Sequence, residues 1–95
     1  MKTETLTTER GKHYGHPRDH FATTRGIYLV WETRRNQAIE QNKSMVKDHE
    51  EAMRHAVYMI CDKLARMATD PTHQDNWDDI QGYARTAKMV LGMEV

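Results

Sequence analysis

Between Val46 and Ala68 the apolar residues return every three or four positions: Val46, Met53, Ala56, Val57, Ile60, Leu64 and Met67/Ala68. That spacing lines one side of an α-helix and suits no strand, whose side chains alternate with period two. It predicts a helix from about Met45 to Ala68. Two acids each stand four residues before a base, Glu50 before Arg54 and Asp62 before Arg66, and these pairs are expected on the solvent side of that helix. Cys61, beside the stripe, reads as a small core residue.

The same period recurs on either side. From Arg18 to about Glu40, Phe21, Thr24, Ile27/Tyr28 and Trp31 fit one helical face, and Val30 and Ala38 add apolar surface. Trp77, Ile80, Ala84, Ala87 and Leu91 repeat up to Gly92 and predict a third helix. Punctuation falls between them, at Gln41-Asn42-Lys43-Ser44 and at Asp70-Pro71-Thr72-His73-Gln74. Asp75 or Thr72 is expected to cap the third helix, with Asp78 and Asp79 in its first turn. Pro17 suits the first position of the first helix, which then starts at His16 or Pro17. The fold class expected is all-α, a small antiparallel three-helix bundle with an ordered N-terminal loop.

At 95 residues there is room for one domain, read as a polar arm over 1–9 and a single helical domain over 10–95. The mean hydropathy of -0.89 is low, and a lone chain of this size buries only about 60–65% of its unfolded surface. Burial between copies is therefore expected, as a homo-oligomer with the methionine-rich second helix near the interface. The longest apolar run, Val57 to Cys61, is too short for a membrane span. The start Met1-Lys2-Thr3-Glu4 lacks the apolar core of a signal peptide, so the expected location is cytoplasmic. One cysteine excludes an intrachain disulfide and a cysteine-based zinc site. Net charge is zero but divided: residues 1–47 hold nine Lys/Arg against five acids, and residues 48–95 hold five against nine. Without a basic excess, duplex DNA is not an expected partner.

Two stretches go beyond a generic bundle. Arg10-x-x-x-Tyr14-Gly15-His16-Pro17 places glycine-containing backbone at a helix start beside Arg10 and Lys12, a setting that can cradle phosphate, with Tyr14 available to stack on a base. Lys63 and Arg66 stand at the edge of the apolar stripe, where both can reach a phosphate, and Tyr83 can border the same pocket. Arg10, Lys12, Tyr14, Gly15, His16, Lys63, Arg66 and Tyr83 are thus the candidate ligand-binding residues. No catalytic residue and no cofactor is expected. His16 and His20 are four apart but straddle the Pro17 helix start, and no third metal ligand accompanies them.

These stretches, Arg10-x-x-x-Tyr14-Gly15-His16-Pro17-x-x-x-Phe21, Trp31, Lys63-Leu64-Ala65-Arg66 and His73-x-Asp75-x-Trp77-x-Asp79-Ile80-x-Gly82-Tyr83-Ala84, resemble a family of short phage and prophage proteins known only as a domain of unknown function. The resemblance covers most of residues 10–91, and residues 36–50 depart from it with extra polar positions. It implies a phage-encoded protein acting in the host bacterial cytoplasm. A fainter resemblance is to MazG-type all-α nucleoside triphosphate pyrophosphohydrolases, which hold Mg²⁺ on Glu-Glu-x-x-Glu and Glu-x-x-Asp. The matching positions are Glu50-Glu51-x-x-Arg54, with a base where a ligand belongs, and Asp75-x-x-Asp78. It implies Glu50, Glu51, Asp75 and Asp78 as metal ligands.

The leading expectation is a non-catalytic binder of a phosphorylated nucleotide that sequesters a host cyclic-nucleotide immune signal at a subunit interface. The alternatives are a divergent Mg²⁺-dependent pyrophosphohydrolase and a protein-interaction inhibitor of a host enzyme.

Overall fold

A helix needs its first N–H groups satisfied, and here a histidine does it. His16, in extended backbone, accepts the Arg18 N–H on Nδ1 at 3.1 Å, and Pro17, with no N–H to satisfy, opens the helix. Gly15 just before it has φ 78, a left-handed conformation that a Cβ disfavours. The computed structural model describes residues 15–46 and 48–95, so the expectations for Arg10, Lys12 and Tyr14 lie outside the described residues. Three helices follow: α1 Pro17–Glu40, α2 Glu50–Met67 and α3 Gln74–Val90. No strand occurs among the described residues. The protein is a small all-α three-helix fold.

Helix α2 begins five residues later than its apolar pattern suggests, because side chains claim the preceding backbone. Ser44 Oγ takes the Val46 N–H at 3.1 Å, donates to the Val46 carbonyl at 2.7 Å, and itself receives Arg35 Nη1 at 2.7 Å. His49 then sits in left-handed conformation, φ 63, as the residue before the helix. At the next junction His73, not Asp75 or Thr72, is the capping position of α3. Asp70 is spent on the turn, where its Oδ1 accepts the Thr72 N–H at 3.0 Å and hydroxyl at 2.6 Å. Asp75 does lie in the first turn, whereas Asp79 reaches across to Lys63.

Helix α2 runs antiparallel to both neighbours, and α1 and α3 do not touch one another. The described helices form an open layer with α2 in the middle. Its extents are 48 × 27 × 23 Å and its radius of gyration 15.6 Å, against about 12 Å for a compact chain of this length.

The two contacts of α2 differ in chemistry. Toward α1 it presents Glu50, Arg54, Tyr58 and Asp62, so the two acid–base pairs expected on the solvent side are in the interface instead. The Tyr28 and Tyr58 rings meet edge to face at 5.3 Å between them, a geometry worth about 0.5–1.5 kcal/mol beyond burial. Ala56 and Met67, both buried, share a side of α2 with Lys63, which bonds to α3. Buried Cys61 completes the small-residue core, and burial pushes its thiol up.

Several apolar residues expected inside are outside. Phe21 is 61% exposed, because α1 turns His20, Thr24 and Tyr28 toward α2 instead. Leu64 is 42% exposed, with Ala65 taking the buried place beside it. On α3 the inward row is Asn76, Ile80, Tyr83, Ala87 and Val90, which leaves Trp77 half out with its indole N–H on the Pro71 carbonyl at 2.8 Å. Among the described residues no helix is long and apolar enough to cross a membrane.

Candidate functional site

The N-terminal end of α1 lies beside the C-terminal end of α2, and the polar residues between them form one cluster. His20 is 7% exposed and donates from Nε2 to Asp62 Oδ1 at 2.9 Å. Thr24, one turn on and 1% exposed, directs its single hydroxyl proton to the His20 carbonyl at 3.1 Å and shares it with the same Asp62 oxygen at 3.4 Å. Arg66 Nε binds the other carboxylate oxygen at 3.1 Å. A carboxylate only 15% exposed thus takes full donors from His20 on α1 and Arg66 on α2, which offset the cost of taking it from water.

A cavity of about 230 Å³ opens against this cluster, lined by Gly15, Asp19, His20, Thr23, Ala65, Ala68 and Thr69. Small side chains make the room, since Ala65 and Ala68 face His20 and Thr23 where larger residues would fill the gap. Gly15, which follows Arg10, Lys12 and Tyr14 in the sequence, is itself part of the cavity lining.

The candidate residues are brought together only in part. Gly15 lines the cavity, and Arg66 stands beside it through Asp62. His16 is occupied as the cap of α1. Lys63 leaves in the other direction, with Nζ 3.0 Å from Asp79 and only 12% of its side chain exposed, so it ties α2 to α3 and does not join Arg66. Tyr83 is half-buried on the α3 row that faces α2.

The alternative metal set does not converge. Glu50 and Glu51 open α2, Asp75 and Asp78 open α3, and the antiparallel packing puts those starts at opposite ends of α2. The separation is the length of that 18-residue helix, about 27 Å. The cleft between Met45, Val46 and His49 at one end and Met89, Leu91 and Gly92 at the other confirms the sense of packing. Glu50 is engaged by Arg35 at 2.6 and 3.0 Å and by Arg54 at 2.8 Å, and Arg54 continues to Glu32 at 3.3 Å and Asn36 at 2.7 Å. The Arg35 guanidinium chiefly, with Arg54, holds the Glu50 carboxyl down at about 2. Among the described residues no three histidine, cysteine or acidic side chains gather as a metal site.

His20, Thr24 and Asp62 were not among the sequence candidates. Their signal was a polar i, i+4 pair, His20 and Thr24, on the face of α1 that also carries Tyr28. Asn76 is a second omission: it is 1% exposed, with its amide nitrogen unpartnered.

Three helices in an antiparallel bundle, α2 between the other two, with a polar cluster beside a small cavity, make this a small all-α domain. Residues 2–91 match the family described as a domain of unknown function, DUF6378, and the chain belongs to that family. No curated protein and no solved structure matches it.

Proposed function

We propose that this is a phage-encoded, non-catalytic binder of a phosphorylated, nucleotide-type ligand, acting in the host cytoplasm by sequestering a cyclic-nucleotide signal. The observation that carries the reading is the cavity beside Gly15. It presents as acceptors for the N–H edge of a base the Thr23 hydroxyl oxygen, whose proton goes to the Asp19 carbonyl at 2.8 Å, and the Asp19 carboxylate, which Arg18 also engages at 3.1 Å, at the end of a segment bearing Arg10, Lys12 and Tyr14. Those basic side chains would take the phosphate, and Tyr14 would stack. At about 230 Å³ the cavity is below the usual 300–1,000 Å³ of small-molecule sites, so one chain encloses part of a nucleotide and a second copy completes the site.

A thermal-shift screen of mono-, tri- and cyclic nucleotides, with and without Mg²⁺, tests this. The expected result is a Mg²⁺-independent shift with one nucleotide class, and the same nucleotide recovered intact after heat denaturation. Arg10→Ala and Tyr14→Ala should abolish the shift and leave the unliganded melting curve unchanged. Magnesium-dependent loss of a nucleoside triphosphate would establish the pyrophosphohydrolase reading instead. No shift with any nucleotide would leave the protein-interaction reading, which the 75% exposure of Val30 and 95% exposure of Met45 favour.

A further inference from the structure

Methionines occupy two different settings in this fold. Met53 and Met67 are each 8% exposed and fill the core along α2, whereas Met45 is 95% exposed and Met89 62%. These two exposed methionines line one cleft, where the connection between α1 and α2 lies against the C-terminal end of α3. His49 lines the same cleft, with Asp48 beside it. The His49 imidazole is exposed and makes no capping bond to the helix it precedes. Two thioethers and an imidazole, none of them spent on the core, thus share one opening.

The backbone on both sides of the cleft is tied down. Ser44 Oγ binds both the N–H and the carbonyl of Val46, which closes the turn at Met45 and leaves its thioether in solvent. His49 holds left-handed backbone at φ 63, a conformation that a Cβ disfavours. On the facing side Met89 stands in the last turn of α3. There the Gly92 N–H bonds to the Met89 carbonyl at 3.2 Å, and the Met93 N–H to the Lys88 carbonyl at 2.8 Å. Methionine is unbranched, so its sulfur can be brought onto an ion by side-chain torsions alone.

Those donors select their metal. Thioether sulfur is soft and uncharged, and together with imidazole it suits Cu(I), whereas Mg²⁺ and Ca²⁺ need hard oxygen ligands. Structural zinc takes four ligands from cysteine, histidine and carboxylate, and among the described residues no three such side chains gather. We propose that this cleft binds one Cu(I) ion on the thioethers of Met45 and Met89 and the imidazole of His49. Asp48 adds a negative charge to the same lining, which favours a cation. Coordination leaves the ion's oxidation state unchanged. The site lies at the start of α2, and the Gly15 cavity lies at its other end, so the copper site stands or fails apart from the nucleotide reading.

Anaerobic titration of the full chain with Cu(I), in competition with the chelator bathocuproine disulfonate, tests the site, with circular dichroism to show that each variant stays folded. The expected result is one Cu(I) held per chain and not displaced by Zn²⁺. Met45→Leu and Met89→Leu should each weaken Cu(I) binding about tenfold or more, since each keeps the bulk and removes the sulfur. His49→Asn should do the same, because asparagine accepts the left-handed backbone and offers no imidazole. Met53→Leu, in the core, should leave the titration unchanged. Cys61→Ala should leave it unchanged too, since that thiol is buried away from the cleft. A chain that holds no Cu(I) against the chelator overturns the proposal. So does binding that Met45→Leu and Met89→Leu leave intact, that Cys61→Ala abolishes, or that Zn²⁺ displaces, because the ion then rests on other donors.

Discussion

His20 and Asp62 stand 42 positions apart in the chain and 2.9 Å apart in the fold, each nearly out of solvent. Because the carboxylate also holds Arg66 and Thr24, it is the joint on which the N-terminal end of α1 is fixed to α2. Removing one member of a buried pair strands the other, at about 3–5 kcal/mol. Asp62→Leu is expected to fall in that range by urea denaturation. Asp62→Asn, which keeps an oxygen for His20 and Thr24, is expected to cost about 1–2 kcal/mol.

The Arg35–Glu50–Arg54 network sets a dependence on acid. The Glu50 carboxyl titrates at about 2 in the folded protein against an ordinary 4.5. A depressed folded value means that the stabilisation is fully present above pH 4.5 and is lost as pH falls toward 2. Glu50→Gln lacks it at every pH. The gap in urea midpoint between wild type and Glu50→Gln should be widest at neutral pH and close across that acid window.

Core truncations should follow the observed burial and not the sequence stripe. Met53, at 8% exposed, is expected to cost about 2–5 kcal/mol as Met53→Ala. Leu64, at 42% exposed, loses less surface from its surroundings, and Leu64→Ala should cost about 1 kcal/mol. Equal losses in chemical denaturation would mean that Leu64 is covered in solution.

Two glycines should respond in opposite directions. Gly15 has φ 78, and Gly15→Ala should destabilise by about 1–2 kcal/mol, although the nearest atom to its Cβ, Thr69 Cγ2, is 3.8 Å away. Gly26 is helical, and among the described residues a Cβ there would meet nothing within 4 Å, so Gly26→Ala should stabilise the protein by about 0.5–1 kcal/mol. Thermal melts of the two variants beside wild type check both signs.

Asn76 buries an amide nitrogen with no acceptor, at a cost of about 1–3 kcal/mol. Asn76→Ala removes that cost along with some packing, and its stability should stay within about 1 kcal/mol of wild type. A loss well beyond that would show that the amide is paired in solution.

Periodicity placed all three helices because each has a repeating apolar row, and a row needs no knowledge of its neighbours. Helix ends were less legible. The start of α2 depends on Ser44, whose hydroxyl binds Val46 only because Arg35 from α1 reaches it. The faces were less legible still. Leu64 and Ala65 both lie near the stripe, and the sequence favours the larger residue for the core. Only the position of α1 over the side carrying Ala65, Tyr58 and Asp62 decides otherwise.

The chain alone thus determined that there are three amphipathic helices and that His16-Pro17 begins the first, since these follow from backbone chemistry within a few residues. Tertiary structure decided that the helices lie in an open row with α2 in the centre. That arrangement brought the Asp62–Arg66 pair out of solvent and gave Asp62 to His20 as well, sent Lys63 to Asp79, and kept Glu50 and Asp75 at opposite ends of α2. Each of these outcomes depends on which helix lies beside which face. A side chain cannot specify its partner when that partner is brought to it by a different stretch of chain.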